Sequence, residues 1–282
     1  MPKTIAEIHI EGVIEKENAT YNQKWLLETI EKVTDDKRNV AIILFIDSPG
    51  GGVYQSDEVY KAILNYKEET KRPVYAYFAS LAASGGYYIG CSADKIIANR
   101  NTLTGSIGVI AGNFTDATKL LEKIGVKSET IHAGKNKTMG SITTPITDEQ
   151  RAIMQSIADE CYNQFVDIVS ESRHLDRETI VKYADGRIYT AKQAKEAGLI
   201  DEIAFYEQVE EILKETEFKD KKYKAEIKKF EVKQKKGIRK LLEGTTGKAF
   251  VLPQGESLFS ALNEELKSIP FPAWYWKRPN VR

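Results

Sequence analysis

Ser84 stands in the stretch SLAASGGYYIG, flanked by two alanines and two glycines. Side chains this small leave a hydroxyl uncovered and bring backbone amides close to it, as a nucleophile requires. The same composition also lets the start of a helix pack closely on a sheet, so Ser84 alone does not settle its own purpose. A second stretch, FIDSPGGG, places Gly50, Gly51 and Gly52 directly after an apolar run. Glycines there let successive amides turn outward towards an anion. The run lacks the lysine of the phosphate loop GxxxxGK[ST] and the last glycine of GxGxxG, which disfavours phosphate and dinucleotide binding. An oxyanion hole for acyl chemistry remains. That chemistry also needs a base. Of the three histidines, His9, His132 and His174, none sits in a helpful motif, and only His132, just before AGKNKTMGS, keeps candidacy. The alternative is a lysine whose burial lowers it from about 10.4 far enough to offer a neutral amine.

Strand-like and helix-like patterns alternate along the chain and would position these residues. VAIILFIDS (Val40 to Ser48) is a continuous aliphatic run of the kind buried on both faces of a parallel sheet, and the segment after it puts Val59, Ile63 and Tyr66 on one side of a helix. PVYAYFAS is the next strand, GGYYIGCSA a short helix and DKIIANR another strand. TDATKLLEKIGVKSETIHAG reads as a helix ending at Gly125 followed by a strand. The N-terminal IAEIHIEGVI alternates apolar with polar residues, as a half-buried strand does. Strands alternating with helices predict an α/β core with right-handed crossovers. Thr147 and Gln150 form a capping-box pattern ahead of one long helix over 147–173, which leads away from that core.

The 282 residues carry 41 Lys or Arg against 41 Asp or Glu, so the overall balance points to neither nucleic acid nor an acidic substrate. Cys91 and Cys161 are too few for a disulfide framework or a metal-ligand set and read as ordinary buried thiols. No signal peptide and no apolar run of about 18–20 residues is present, which reads as a soluble chain. Two units are expected, a core over 1–217 and a segment over 218–282. Between Lys219 and Lys240 the latter holds eleven Lys or Arg against three Asp or Glu, a solvated arm or a surface for acidic lipid headgroups. It ends in the aromatic IPFPAWYWKRPNVR, a composition that favours docking over solvation.

IDSPGGGV, AASGGYYI, ADKIIAN, TLTGSIGVI, GKNKTMGS and ADGRIYTAKQAKEAGLID occur in an order and spacing that closely resemble the signal peptide peptidase A (SppA) family of bacterial Ser/Lys proteases. The resemblance runs from Ile5 to Phe205, and AWYW resembles the tail of the short, single-domain members. It implies a Clp/crotonase-like core of repeated β-β-α units with a long helical extension. Carried over, it makes Ser84 the nucleophile, Lys137 the general base, Gly51 and Gly85 the oxyanion amides and Ser106 the hydroxyl that aims the lysine. Lys135 is the competing base; the family pattern of glycine, two residues, then lysine favours Lys137. The family often has proline soon after the serine of this stretch, whereas here Pro145 comes late.

The resemblance further implies a homo-oligomeric, dome-shaped octameric ring in which serine and lysine come from neighbouring copies. Its substrates would be leftover signal peptides or other small unfolded peptides, with no cofactor and no metal. The aromatic tail would dock near an active site. The location would be cytoplasmic, or peripheral to a membrane through Lys219–Lys240. Rival readings are a phage-type capsid maturation protease, a crotonase-like acyl-CoA enzyme and a catalytically silent scaffold.

Overall fold

The structure, a computed structural model, describes residues 2–219 and 225–232. In chain order the elements are β1 (Lys3–Glu11), α1 (Gln23–Asp35), β2 (Asn39–Ser48), α2 (Val53–Thr70), β3 (Val74–Ala83), α3 (Gly85–Gly90), β4 (Lys95–Ala98), β5 (Leu103–Gly105), α4 (Thr118–Lys123), α5 (Asp148–Arg173), α6 (Arg177–Tyr183), β6 (Ile188–Thr190), α7 (Ala191–Glu196), β7 (Glu202–Ile203), α8 (Tyr206–Glu217) and β8 (Ala225–Phe230). They build the expected α/β core on one sheet, ordered β6-β5-β3-β2-β1-β8, with β4 pairing β3 and β7 beside this path. All pairings are parallel except β5 with β6. The two β-strands that follow α3 share one side of β3: its first half, Tyr75 to Phe78, pairs with β4 and its end, Leu81 to Ala83, with β5. That split carries the end of β3 past its neighbour and leaves Ser84 at a rim.

The central strands are covered on both faces. Ala6, Ile8 and Ile10 of β1 and Ile42, Leu44 and Ile46 of β2 join α1, α2 and α3 in the larger core, while Ile5, Ile43, Tyr75 and Tyr77 pack under Val209 and Leu213 of α8. Each fully buried isoleucine contributes about 1.5–3 kcal/mol relative to exposure, so the strands form firm rails for the loops at their ends. β1 is therefore not the half-buried strand that its alternation suggests. Residues 5–10 are all buried, because α8, some two hundred positions later, covers the second face. Glu7 and His9 lie on that face and are satisfied there: His9 Nε2 meets Glu7 Oε1 at 2.6 Å, His9 Nδ1 meets Glu11 Oε1 at 2.8 Å, and the ring stacks on Phe45 with centroids 4.4 Å apart.

Thr147 caps α5 through the expected capping box with Gln150. The helix leaves the core only in its first half; Phe165, Val166 and Val169 are buried. The expected strand after Gly125 does not form. Residues 126–133 are exposed, with Ile131 at 96% and Val126 at 47% exposure, and pair with no strand among the described residues. Without a partner edge they form no ladder, and the backbone bonds they make among the described residues are local, Val126 N–H to Leu121 O at 2.9 Å and Thr130 O to the His132 ring at 3.1 Å. Residues 225–230 of the basic segment run as β8 along the outer edge of β1. The remainder of that segment beyond 232, and the aromatic tail, lie outside the described residues.

Candidate active site

Ser84 occupies the turn between β3 and α3 with φ 51° and ψ −119°. A positive φ is unusual for a residue with a Cβ and costs about 1–3 kcal/mol, so the surroundings must enforce it. They do so from both sides: Ser84 N–H donates to Gly105 O at 2.9 Å, and Tyr88 N–H, one turn into α3, donates to Ser84 O at 2.9 Å. The small neighbours allow both close helix-on-sheet packing and a close approach of the glycine loop to Ser84. A Cβ on Gly90 would meet the Phe78 ring at 2.5 Å and one on Gly86 would approach Ser48 O at 3.0 Å, which is close helix-on-sheet packing. One on Gly50 would lie 2.7 Å from Ser84 Cβ and 2.6 Å from Gly85 N, so the glycine loop reaches the serine only because it lacks side chains.

That loop follows β2. Ile14 N–H donates to Gly50 O and Gly52 N–H to Ile14 O, both at 2.8 Å, so Gly51 bridges Ile14 in parallel. In such a bridge the middle residue's own amide faces away from the partner. Gly51 N lies 3.3 Å from where a Cβ on Gly85 would sit. The two amides nominated by the sequence thus stand beside each other next to Ser84.

Ser84, Gly51, Gly85 and Ser106 all line one cavity of about 610 Å³. Ser106, like Ser84, has φ 51°, and its N–H donates to Arg187 O at 2.8 Å. The apolar wall comes from Val13, Val53, Ile110, Tyr162 and Phe165. Tyr88 closes it with its hydroxyl donating to Asp57 Oδ1 at 2.7 Å and accepting from Gln164 Nε2 at 2.7 Å. Burial, followed by the bond to Asp57, pushes that phenol far above its ordinary value, so it stays neutral. The cavity walls are predominantly apolar, with the acidic Asp185 at the rim.

The candidate bases are elsewhere. Lys137 lies in an exposed turn, its N–H donating to Gly134 O at 3.0 Å, and does not line the cavity. Lys135 is ion-paired with Glu149, whose carboxyl is held below its usual range by that bond and one from Asn136. None of the histidines lines the cavity: His132 is exposed, His174 is the C-cap of α5 with φ 52°, and His9 sits between its carboxylates. His132 therefore loses its candidacy within one chain. Among the described residues no group of three or more His, Cys, Asp or Glu is placed to hold a metal ion.

Several lining residues escaped sequence reasoning. Cys161 is only partly buried in the cavity wall, so only Cys91 is the buried thiol expected, pushed up to about 12 by burial. Ala184, Asp185 and Gly186 form part of the rim. The motif ADGRIYT signalled them as a string; the β5–β6 pairing, the Ser106 N–H bond to Arg187 O and the bond from Gly186 N–H to Ile107 O at 3.1 Å bring it to Ser106.

Among the described residues, no helix is long and apolar enough to cross a membrane. Comparison with known proteins adds the family. The profile of peptidase family S49 matches residues 66–219. A putative signal peptide peptidase SppA of Enterococcus faecium is 37% identical over 219 residues, 75% of this chain and 63% of that protein. A putative protease of Synechocystis sp. is 40% identical over 71% of this chain and 70% of its own length. The chloroplastic serine protease SPPA of Arabidopsis thaliana is 38% identical over 69% of this chain and 28% of its own. A solved structure, a mutant of ClpP1 from Listeria monocytogenes, superposes with a TM-score of 0.43 at 19% identity, covering 70% of this chain and 90% of that one. With its motifs in register, a matching profile over more than half its length and relatives at this identity, the chain belongs to peptidase family S49, the SppA-type proteases.

Proposed function

We propose that this SppA-type serine protease cleaves small unfolded peptides, leftover signal peptides among them, with a Ser84/Lys137 dyad shared between neighbouring copies of the chain. The observation that carries the reading is the convergence on one apolar cavity of a serine in a strained turn and the amides of Gly51 and Gly85. Ser84 Oγ attacks the peptide carbonyl while neutral Lys137 Nζ takes the hydroxyl proton. The carbonyl oxygen becomes an oxyanion between the Gly51 and Gly85 amides, each worth about 3 kcal/mol in the transition state. The resulting ammonium returns its proton to the leaving amine as the C–N bond breaks. Water, activated by the same lysine, then hydrolyses the acyl ester and restores the serine.

In this reading Lys137 reaches the cavity of an adjacent subunit in a ring of copies, with Ser106 orienting the amine there. Support comes from the segment just before the turn that carries it. Leu120, Ile124, Val126 and Ile131 are exposed on the same stretch, an apolar run that a neighbouring copy would cover. Activity-based labelling tests the whole reading. A fluorophosphonate should modify Ser84 of the wild-type protein, located by mass spectrometry. Ser84→Ala should not be labelled, and Lys137→Ala should be labelled at a small fraction of the rate. Equal labelling of Lys137→Ala and wild type would refute the base.

A further inference from the structure

We propose that Ser48 is a positioning residue for peptide hydrolysis: its buried hydroxyl ties the turn after β1 to the glycine loop and sets the direction of the Gly51 amide. The inference rests on the reading of Gly51 as an oxyanion donor and extends it to the residue that holds it. Ser48 is fully buried at the end of β2. Its Oγ donates to Gly12 O at 2.6 Å and accepts from Gly50 N–H at 3.0 Å, so its proton and a lone pair are both engaged. Gly12 is itself fixed, its N–H donating to Asp47 O at 2.9 Å.

Gly50 is thereby held at both ends, N–H by Ser48 and C=O by Ile14 N–H at 2.8 Å. A trans peptide unit points its C=O and the following N–H in opposite directions. Anchoring Gly50 O on Ile14 therefore aims Gly51 N–H away from Ile14 and towards the Ser84 side. The Ile14 anchors are backbone groups that nearly any sequence would supply; Ser48 is the side-chain member of the clamp. Gly51 fits against it only as glycine, since a Cβ there would lie 2.0 Å from Ile14 O. Loss of the Ser48 hydroxyl would leave Gly50 N–H buried without its acceptor and the Gly50–Gly51 peptide held through Ile14 alone, so its tilt loosens and the Gly51 donor weakens in the transition state more than in the bound substrate.

The test compares wild type with Ser48→Ala, Ser48→Thr, which retains a hydroxyl, and Ile63→Val, a core change in α2 that lowers stability without touching the loop. Peptide hydrolysis, affinity for a peptide aldehyde that forms a tetrahedral adduct, and amide hydrogen exchange over residues 48–53 are measured on the assembled protein. Ser48→Ala should lose about 10- to 100-fold in kcat with KM within about twofold, and aldehyde affinity should fall by a similar factor. Exchange at Gly50 and Gly52 should quicken. Ser48→Thr should recover most of the rate, and Ile63→Val should change none of these. Should Ser48→Ala not fold, Ser48→Cys, of similar size but a weaker donor, should show the same pattern at smaller amplitude. A loss confined to KM, an unchanged aldehyde affinity or an equal loss in Ile63→Val would overturn the proposal. If wild type neither cleaves peptides nor binds the aldehyde, the protease reading fails instead, and unchanged exchange over 48–53 in Ser48→Ala would still overturn the clamp.

Discussion

Lys137 does not line the cavity that holds Ser84, and lies in an exposed turn. That separation translates into a count of working sites. If each site takes its serine from one copy and its lysine from the next, a chain carrying both Ser84→Ala and Lys137→Ala behaves unlike a simple diluent. Mixed equally with wild type, a site works only when both neighbours are wild type, so activity should fall to about one quarter of an equal amount of wild-type ring. A dyad within one chain would leave about one half. The reciprocal mixture is sharper: Ser84→Ala co-expressed with Lys137→Ala should recover about one quarter of full activity, because the first supplies lysine and the second serine. For a within-chain dyad it should recover nothing. The assay is initial-rate peptide cleavage by particles purified through a different tag on each chain, so that every particle contains both. Activity near one half in the first mixture and none in the second would refute the shared site and place the lysine in its own chain's cavity.

Gly51→Ala should lower kcat by about 10²- to 10³-fold, since the new methyl would fall 2.0 Å from the Ile14 carbonyl oxygen and push the loop off its donor position; near-normal peptide cleavage would show that this amide does not serve the oxyanion. His9 gives a pH signature in stability. Its burial disfavours charge, but the bonds to Glu7 and Glu11 outweigh this and raise it above its ordinary 6.5. A raised folded-state value stabilises fully below the unfolded one and is lost as pH climbs through the folded one. Tm should therefore decline from about pH 6.5 upwards through that range, and His9→Gln should flatten this limb; parallel Tm profiles for the two proteins would contradict it. Glu7 runs the other way. Its burial raises it, but the bonds from His9 and Tyr206 hold it below its ordinary value, so its contribution is lost only as pH falls through that lowered value.

Ser84 and the glycine loop were legible as a pair because each follows a strand with a strong apolar pattern, and parallel strands deliver such ends to one rim. Gly85 and Ser106 came from the family resemblance, since β5 is only Leu103–Gly105 and carries no such pattern. Ser84 follows β3, the glycine loop follows β2 and Ser106 follows β5, and β5 pairs with the last three residues of β3. Local sequence thus carried the residue types of the serine and glycine turns, and the resemblance carried their grouping. β1 shows where that stops. Its polar positions read as solvent-facing, yet Glu7 and His9 are buried beside α8, and nothing within nine residues of them announces a helix two hundred positions away.

Lys137 fails to be legible for a different reason. Residues 126–133 carry enough apolar character to read as a strand, and a strand needs an edge to bond. In a single chain no edge among the described residues meets them, and Ile131 is left 96% exposed. If the neighbouring copy proposed above supplies that edge, the pattern that reads as a strand is information about the surface between copies. In the proposed dyad Lys137 lies just beyond this segment and would be set in place by the copy that covers it. If a second copy does so, the event that buries the apolar stretch also desolvates the amine, and burial is what lowers an ammonium towards neutrality. Assembly and activation of the nucleophile would then be one step, which is why the mixing ratios above discriminate better than any substitution made in a uniform particle.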